Sequence, residues 1–192
     1  MADRSYLYSS DNPPESLEWS MKKALHGISE YRYDIPLAFK ILLTGNPMAC
    51  RSSIWETPDK IAITGNYSTG VENLAKYVGR ISDPAALPLV DETFKFLNSS
   101  KRVRKHFILE CGEIFDLTKG PLSEKNSALL AEIQGLSATI DSFPIPKPVS
   151  TQRGMISKLF GLSAPDPLSP YYEIGLGGWT DILYFDFSEN ET

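Results

Sequence analysis

Phe107-Ile108-Leu109-Glu110-Cys111 is a short apolar run that contains a single carboxylate, and its length and composition predict a buried strand. Residues 4–9 alternate, with Tyr6 and Tyr8 on one side and Leu7 on the other, which predicts a second strand near the start of the chain. Two further strands are predicted at 49–55 and 60–64.

Helices are predicted between these strands, because apolar residues there recur every three or four positions. The clearest one starts at Thr69, which forms a capping-box pattern with Glu72 ahead of an apolar face. Other apolar faces predict helices over 17–28, 87–97 and 123–140. The run 37–43 is apolar nearly all round and is interpreted as a buried helix, although a buried strand would show the same run. Since helices and strands are mixed without strict alternation, the sequence predicts an α+β fold: a single domain with a largely antiparallel sheet, packed with several amphipathic helices.

The 192 residues are predicted to form one domain, 1–192. Six of the 14 prolines fall at about 144–170, which predicts a long proline-rich connection. After it, Tyr171–Gly175 and Trp179–Phe187 flank the glycine-rich turn Leu176-Gly177-Gly178, a pattern typical of a C-terminal hairpin.

The opening residues lack the basic start and apolar run of a secretory signal, and no uncharged stretch approaches the length of a membrane span. A cytoplasmic location without membrane contact is therefore predicted. Cys50 and Cys111 lie in apolar surroundings and are interpreted as reduced core thiols, although a single disulfide is left open.

No residue pattern indicates catalysis or metal binding. His26 and His106 have no Cys, Asp or Glu at ligand spacing, and no serine lies in a nucleophile elbow. The loop 65–70 precedes a predicted helix as phosphate loops do, but it lacks their Lys-Ser/Thr pair. The sequence therefore predicts a non-enzyme with no catalytic residue, no metal and no cofactor.

The formal net charge is −5, although residues 101–105 hold four of the 19 basic side chains. This run follows a predicted helix end, where positive charge is stabilising, and is interpreted as a solvated turn. An acidic chain repels nucleic acid and attracts basic proteins. The charge pattern thus predicts a basic protein partner and no nucleic acid.

The C-terminal region places aromatic residues close to acidic ones, a composition that suits an interface with a basic protein. The residues predicted to contact the partner are Tyr171, Tyr172, Glu173, Trp179, Asp181, Asp186 and Glu189. In the competing interpretation, the aromatic rings belong to the core and the acids simply face solvent. The residues leave both readings open.

Four segments give the chain a resemblance to a family of uncharacterised bacterial proteins: Arg4-Ser5-Tyr6-Leu7-Tyr8-Ser9, Tyr33-Asp34-Ile35-Pro36-Leu37, Cys50-Arg51-Ser52 and Gly178-Trp179-Thr180-Asp181. The family is similar in size and style to cytosolic immunity proteins, which bind and block the toxin domains of polymorphic or contact-delivered systems. The resemblance implies a non-catalytic protein that neutralises a cognate bacterial toxin domain.

Two other classes of function remain open. One is an enzyme or small-ligand-binding protein of unfamiliar type, with a pocket between the proline-rich connection and the turn at 65–69. The other is a structural or regulatory interaction module of a larger assembly. A rise in melting temperature with a metabolite would favour the first, and a neighbouring toxin gene would favour the immunity hypothesis.

Overall fold

A five-stranded antiparallel sheet is the frame of the molecule in the computed structural model, which describes residues 3–14, 25–147 and 166–185. The strands are β1 (Arg4–Ser10), β2 (His26–Arg32), β3 (Met48–Cys50), β4 (Ala62–Asn66) and β5 (His106–Glu110). They pair in the order β2-β1-β5-β4-β3, and every neighbouring pair is antiparallel. The apolar run at 107–111 thus supplies the central strand.

Helices complete the fold between and after the strands. They are α1 (Leu37–Leu42), α2 (Tyr67–Val78), α3 (Leu87–Leu97), α4 (Gly112–Asp116), α5 (Leu122–Ser137) and α6 (Ser169–Glu173), with a short 3-10 turn at Ile140–Ser142. The predicted α+β fold is confirmed. Over the described ranges, no helix combines the length and the apolar character that crossing a bilayer requires.

The sheet has apolar side chains on both faces. Alternation along β1 sends Leu7 to one face and Tyr6 and Tyr8 to the other. The main core, between the sheet and the helices, contains the strand residues Leu7, Ile28, Ile63, Phe107 and Leu109. The second cluster, on the opposite face, contains Tyr6, Tyr8, Leu25, Ile108 and Leu183. The apolar side chains on both faces of the sheet must therefore be shielded from water by other segments.

Helix α2 packs directly against the backbone at the end of α1, because Gly70 lies at their contact. A Cβ at Gly70 would overlap the carbonyl oxygen of Leu42, and one at Gly65 would lie 2.6 Å from that of Leu43. Van der Waals contact needs more than 3 Å, so only glycine permits this approach.

The start of α2 differs from the prediction. Asn66 is the N-cap residue, and its side-chain oxygen accepts a hydrogen bond from the Thr69 amide at 3.0 Å. The helix therefore begins one turn before the expected capping box of Thr69 and Glu72, because Asn66 already supplies the cap.

The helix predicted over 17–28 is wrong at its C-terminal end, where residues 26–32 form β2. Residues 15–24 lie outside the described part of the chain. Leu25 and Ile28 have helical spacing, but Leu25 packs in the second cluster and Ile28 in the main core. Pairing with β1 overrides the local periodicity.

The prediction that Tyr171–Gly175 forms the first arm of a C-terminal hairpin is also wrong, because Ser169–Glu173 is helical. Gly175, Gly177 and Gly178 have positive φ values, so the glycine-rich segment does turn the chain. The chain after the turn pairs with β2 instead: Trp179 forms an antiparallel bridge with Ser29. Of the proline-rich connection, residues 148–165 lie outside the described ranges.

Two helical glycines provide a matched test of this packing. Gly70→Ala should lower the free energy of unfolding by about 1–3 kcal/mol, because the new methyl group meets the α1 backbone. Gly135→Ala in α5 meets no atom within 4 Å and should raise stability by up to about 1 kcal/mol. Urea denaturation measures both changes. Equal effects from the two variants would contradict the proposed close contact.

Candidate partner-binding surface

Residues 166–185, the C-terminal strap, connect the two faces of the sheet. Tyr171 and Leu176 are buried in the main core, whereas Leu183 is buried in the second cluster with Phe185 packed against it. The strap therefore passes over the outer edge of β2, and its inward side chains contribute to both clusters.

Trp179 anchors the middle of the strap. Its indole Nε1 donates a hydrogen bond to the Thr93 hydroxyl of α3 at 2.8 Å. Its ring lies 6.3 Å from that of Phe96 and 6.4 Å from that of Phe39. The hydrogen bond satisfies the indole N–H of Trp179 and the hydroxyl of the buried Thr93. Trp179 is therefore fixed both by ring packing and by a hydrogen bond.

The strap also covers the open edge of β2. The Thr180 amide donates to the Ile28 carbonyl at 3.1 Å, and the Ser29 hydroxyl donates to the Gly178 carbonyl at 3.0 Å. Gly27 has no side chain, and this absence leaves room for the Asp181 backbone. An uncovered edge would be a template for pairing with other chains, which the strap prevents here.

The strap is tied to α1 as well. The Ile174 carbonyl accepts a hydrogen bond from the Ala38 amide at 2.8 Å, which satisfies one of the free amides in the first turn of α1. Gly175, with a φ of +88°, packs against Pro36 immediately before this helix. The strap thus contacts the helix layer at both α1 and α3.

The structure divides the residues predicted to contact a partner. Tyr171 is only 1% exposed and its hydroxyl donates to Asp83 at 3.0 Å, while Trp179 is half-buried. These two rings face inward, as in the competing interpretation. Tyr172 is 42% exposed, and Glu173 and Asp181 are also exposed. Asp186 and Glu189 lie outside the described residues.

Asp181 is not a free carboxylate, because it pairs with Arg102 at 2.7 Å. The Arg102 guanidinium also lies over the Phe96 ring, 5.0 Å from its centre. Arg104 contacts the imidazole Nε2 of His26 at 2.9 Å and lies 3.7 Å from the Asp11 carboxylate. The interpretation of residues 101–105 as a solvated turn is therefore wrong for its two arginines, which hold neighbouring segments together.

Two exposed apolar residues of the strap were missed by sequence reasoning. Ile182 is 76% exposed and Tyr184 is 52% exposed, whereas Leu183 between them is buried. The Tyr184 amide donates to Glu30 at 2.8 Å, and its ring lies over the Arg4 guanidinium at 5.1 Å. The alternation of residues 182–185 carried this signal, since it requires every second side chain to face outward.

A buried carboxylate lies on the second face of the sheet. Glu110, at the end of β5, is 1% exposed and accepts hydrogen bonds from the Ser52 hydroxyl at 2.7 Å and from the Ser53 amide and hydroxyl at 2.6 and 2.5 Å. Burial raises the pKa of Glu110, and these three donors partly offset the increase. Glu110 thereby holds the segment after β3 against the sheet. Sequence spacing gave no sign of this contact.

An open concavity of about 290 Å³ lies where β4 meets α2. It is lined by Gly45, Asn46, Met48, Thr64, Gly65, Asn66, Thr69 and His106. The concavity includes part of the turn at 65–69, where the small-ligand alternative places its pocket. Among the residues that the structure describes, no three His, Cys, Asp or Glu side chains are placed to hold a metal ion.

Together these features define an α+β domain whose C-terminal strap presents aromatic and acidic side chains to solvent. A family model described as a domain of unknown function, DUF7822, matches residues 13–144, which is more than half of the chain. The protein belongs to this family, as expected from its resemblance to an uncharacterised family. The matched region contains β2 to β5 and α1 to α5, whereas β1 and the strap lie outside it. Neither the curated proteins nor the solved structures contain a match to the chain.

Glu110 gives the protein a testable pH dependence. In the unfolded chain this carboxyl titrates at about 4.5, but the folded state keeps its proton to higher pH because burial raises the pKa. Stability therefore falls as the pH rises from about 4.5 through the raised folded value. Glu110→Gln should remove this loss, so the variant gains stability relative to wild type over that range. Urea denaturation from pH 4 to pH 8 measures the difference, and the exposed Glu124→Gln is the control.

If Glu110→Gln and wild type kept a constant stability difference over this range, the raised folded pKa would be refuted.

Proposed function

We propose that this protein is a non-catalytic binding protein of the immunity type, which neutralises a bacterial toxin domain by covering it. The observation that carries the proposal is that the strap exposes Tyr172 and Glu173 before its turn and Ile182 and Tyr184 after it. Exposed aromatic and apolar residues next to carboxylates have the composition of a protein interface.

The inward contacts of the strap support this role, because they fix the outward side chains before a partner arrives. The ring of Tyr172 lies beside Gly177, where an added Cβ would be 3.0 Å from the ring. Tyr184 is held by Glu30 through its amide and by Arg4 beneath its ring. Side chains that are already ordered lose little entropy on binding, so more of the contact energy contributes to affinity.

The charge of the protein favours a basic partner. The chain carries 24 acidic residues against 19 basic ones, and long-range attraction speeds association with a positively charged domain. Glu173 is the carboxylate of the strap best placed for this contact, because it is exposed and its only side-chain bond in the described region is to Ser169 at 3.2 Å. Under this proposal the protein acts in the cytoplasm and contacts neither nucleic acid nor membrane.

The proposal predicts that a toxin domain is encoded beside this gene, and the direct test is co-expression with that domain. The wild-type protein should restore growth and bind the domain in isothermal titration calorimetry. The double variant Tyr172→Ala/Glu173→Lys should lose at least about tenfold in affinity, because it removes an aromatic anchor and reverses a charge. Asp59→Lys is the matched control, since it is an exposed carboxylate in the loop between β3 and β4 and should bind as wild type does.

Absence of both binding and protection by the wild-type protein would refute the immunity function. Equal losses in the Tyr172→Ala/Glu173→Lys and Asp59→Lys variants would remove the strap from the interface. Charge reversal at Asp181, which the sequence also predicts to contact the partner, is a less informative test because it breaks the ion pair with Arg102.

A further inference from the structure

The β4–α2 concavity, about 290 Å³ in volume, is shaped by the register of the sheet. Met48 lies opposite Thr64, and Asn66 lies opposite His106. Thr64 and Asn66 are two residues apart on β4, so their side chains point to the same face. Side chains directly opposite each other in antiparallel strands are about 5 Å apart. These four lining residues therefore stand beside one another on one face of the sheet.

Three hydrogen-bonding groups of the concavity have unused capacity. Within the described ranges, the Asn46 amide, the Thr69 hydroxyl and the His106 imidazole form no hydrogen bond to another residue. Burial, followed by the charge of Lys105, lowers the pKa of His106, and Asp11 partly opposes this change. The imidazole is therefore mainly neutral at pH 7.5, where it offers one donor and one acceptor.

The walls of the concavity suit an uncharged ring system. Most of the lining surface is apolar, and none of the described residues that form it is Asp, Glu, Lys or Arg. Mainly apolar walls with a few hydrogen-bonding groups are usual in small-ligand sites. Met48 is 50% exposed, and a thioether makes favourable contacts with aromatic rings. Because a cavity of about 150 Å³ holds one benzene ring, this concavity has room for two fused rings.

The side-chain chemistry selects among such rings. A carboxamide presents a donor and an acceptor side by side, which match the N7 acceptor and the 6-amino donor of adenine. The Asn66 oxygen already accepts the Thr69 amide, whereas both polar atoms of the Asn46 carboxamide are available. Guanine is recognised mainly by arginine or lysine, and cytosine by aspartate or glutamate, which the described lining lacks. The lining therefore favours adenine.

A second concavity, of about 270 Å³, adjoins the first and gives a substituent of the ring space to extend. The two concavities share Met48 and Thr64. Lys60 lines the second one, and an ammonium group attracts a phosphate more strongly than an uncharged sugar. The combined space therefore accommodates adenine as part of a nucleoside or of a nucleotide.

We infer that the β4–α2 concavity binds the adenine ring of a nucleoside or nucleotide, with the Asn46 carboxamide on its N7 and 6-amino edge and Met48 against its face. This inference goes beyond the proposed function and does not rest on it. The concavity lies at the β3 and β4 side of the sheet, whereas the strap covers β2 at the other end of the strand order.

The test is a two-dimensional NMR titration of the full chain with adenosine and with inosine, which has an oxygen in place of the 6-amino group. Adenosine should shift the amides of Asn46, Met48 and His106 in a saturable manner. Inosine should bind at least about fivefold more weakly, because the carboxamide no longer matches both edge atoms. AMP distinguishes the two sources of the ring: tighter binding than adenosine supports a nucleotide ligand, and weaker binding supports a nucleoside.

Asn46→Asp is the decisive variant. Aspartate keeps the size of the side chain and tolerates the positive φ of 55°, but it lacks the amide donor. Adenosine should bind at least about fivefold more weakly to this variant. Asn98→Asp is the matched control, since Asn98 is an exposed asparagine at the end of α3 outside the lining, and it should bind as wild type does. Met48→Ala should weaken binding about threefold, because the ring loses its thioether contact.

Absence of saturable shifts with millimolar adenosine, equal affinities for adenosine and inosine, or equal losses from Asn46→Asp and Asn98→Asp would overturn the site. Urea denaturation of each variant separates lost binding from lost folding. The strap variant Tyr172→Ala/Glu173→Lys should bind adenosine as wild type does. Failure of the toxin-binding test and failure of the adenine site are therefore distinguishable.

Discussion

The fold depends on the C-terminal strap, residues 166–185, whose side chains complete the hydrophobic clusters on both faces of the sheet. The second face is covered in part by Leu183 and Phe185 of the strap, and the main core is completed by Tyr171 and Trp179 of the same strap. The hydrogen bond between the Trp179 indole and Thr93 anchors the strap just before it crosses to the second face. Removal of the strap would expose apolar surface on two faces and the edge of β2 together, so it is part of the core as well as part of the surface.

This arrangement explains how a small domain presents exposed rings in fixed positions. A loop with free aromatic side chains would lose conformational freedom on binding, whereas the strap has already lost it during folding. The two locally unfavourable features, the positive φ of Tyr33 and the buried carboxylate of Glu110, persist because neighbouring hydrogen bonds hold them. Such features are expected where function, not stability, selects the residue. Of these two residues, Tyr33 is exposed and Glu110 is buried.

Local patterns predicted the parts of the fold that local physics decides. The alternation of β1, the apolar run of β5 and the periodicity of α2 survive in the structure because burial supports each of them. The prediction of a strand as the first arm of a C-terminal hairpin was wrong. Tyr171 instead forms a hydrogen bond with Asp83, a partner that no local pattern reveals. The same limit applies to the candidate surface: Tyr172 and Glu173 were found from composition, but the inward position of Trp179 depends on its contacts with Phe39, Phe96 and Thr93, which no local pattern reveals.

Native-state hydrogen exchange of the Thr180 amide, which bonds to the Ile28 carbonyl, tests the central role of the strap most directly. If the strap is part of the cooperative core, this amide will exchange only through global unfolding, with the same free energy of opening as the amides of β5. Exchange of Thr180 through a local opening of much lower free energy, while β5 stays protected, would show that the strap detaches independently and would contradict this account.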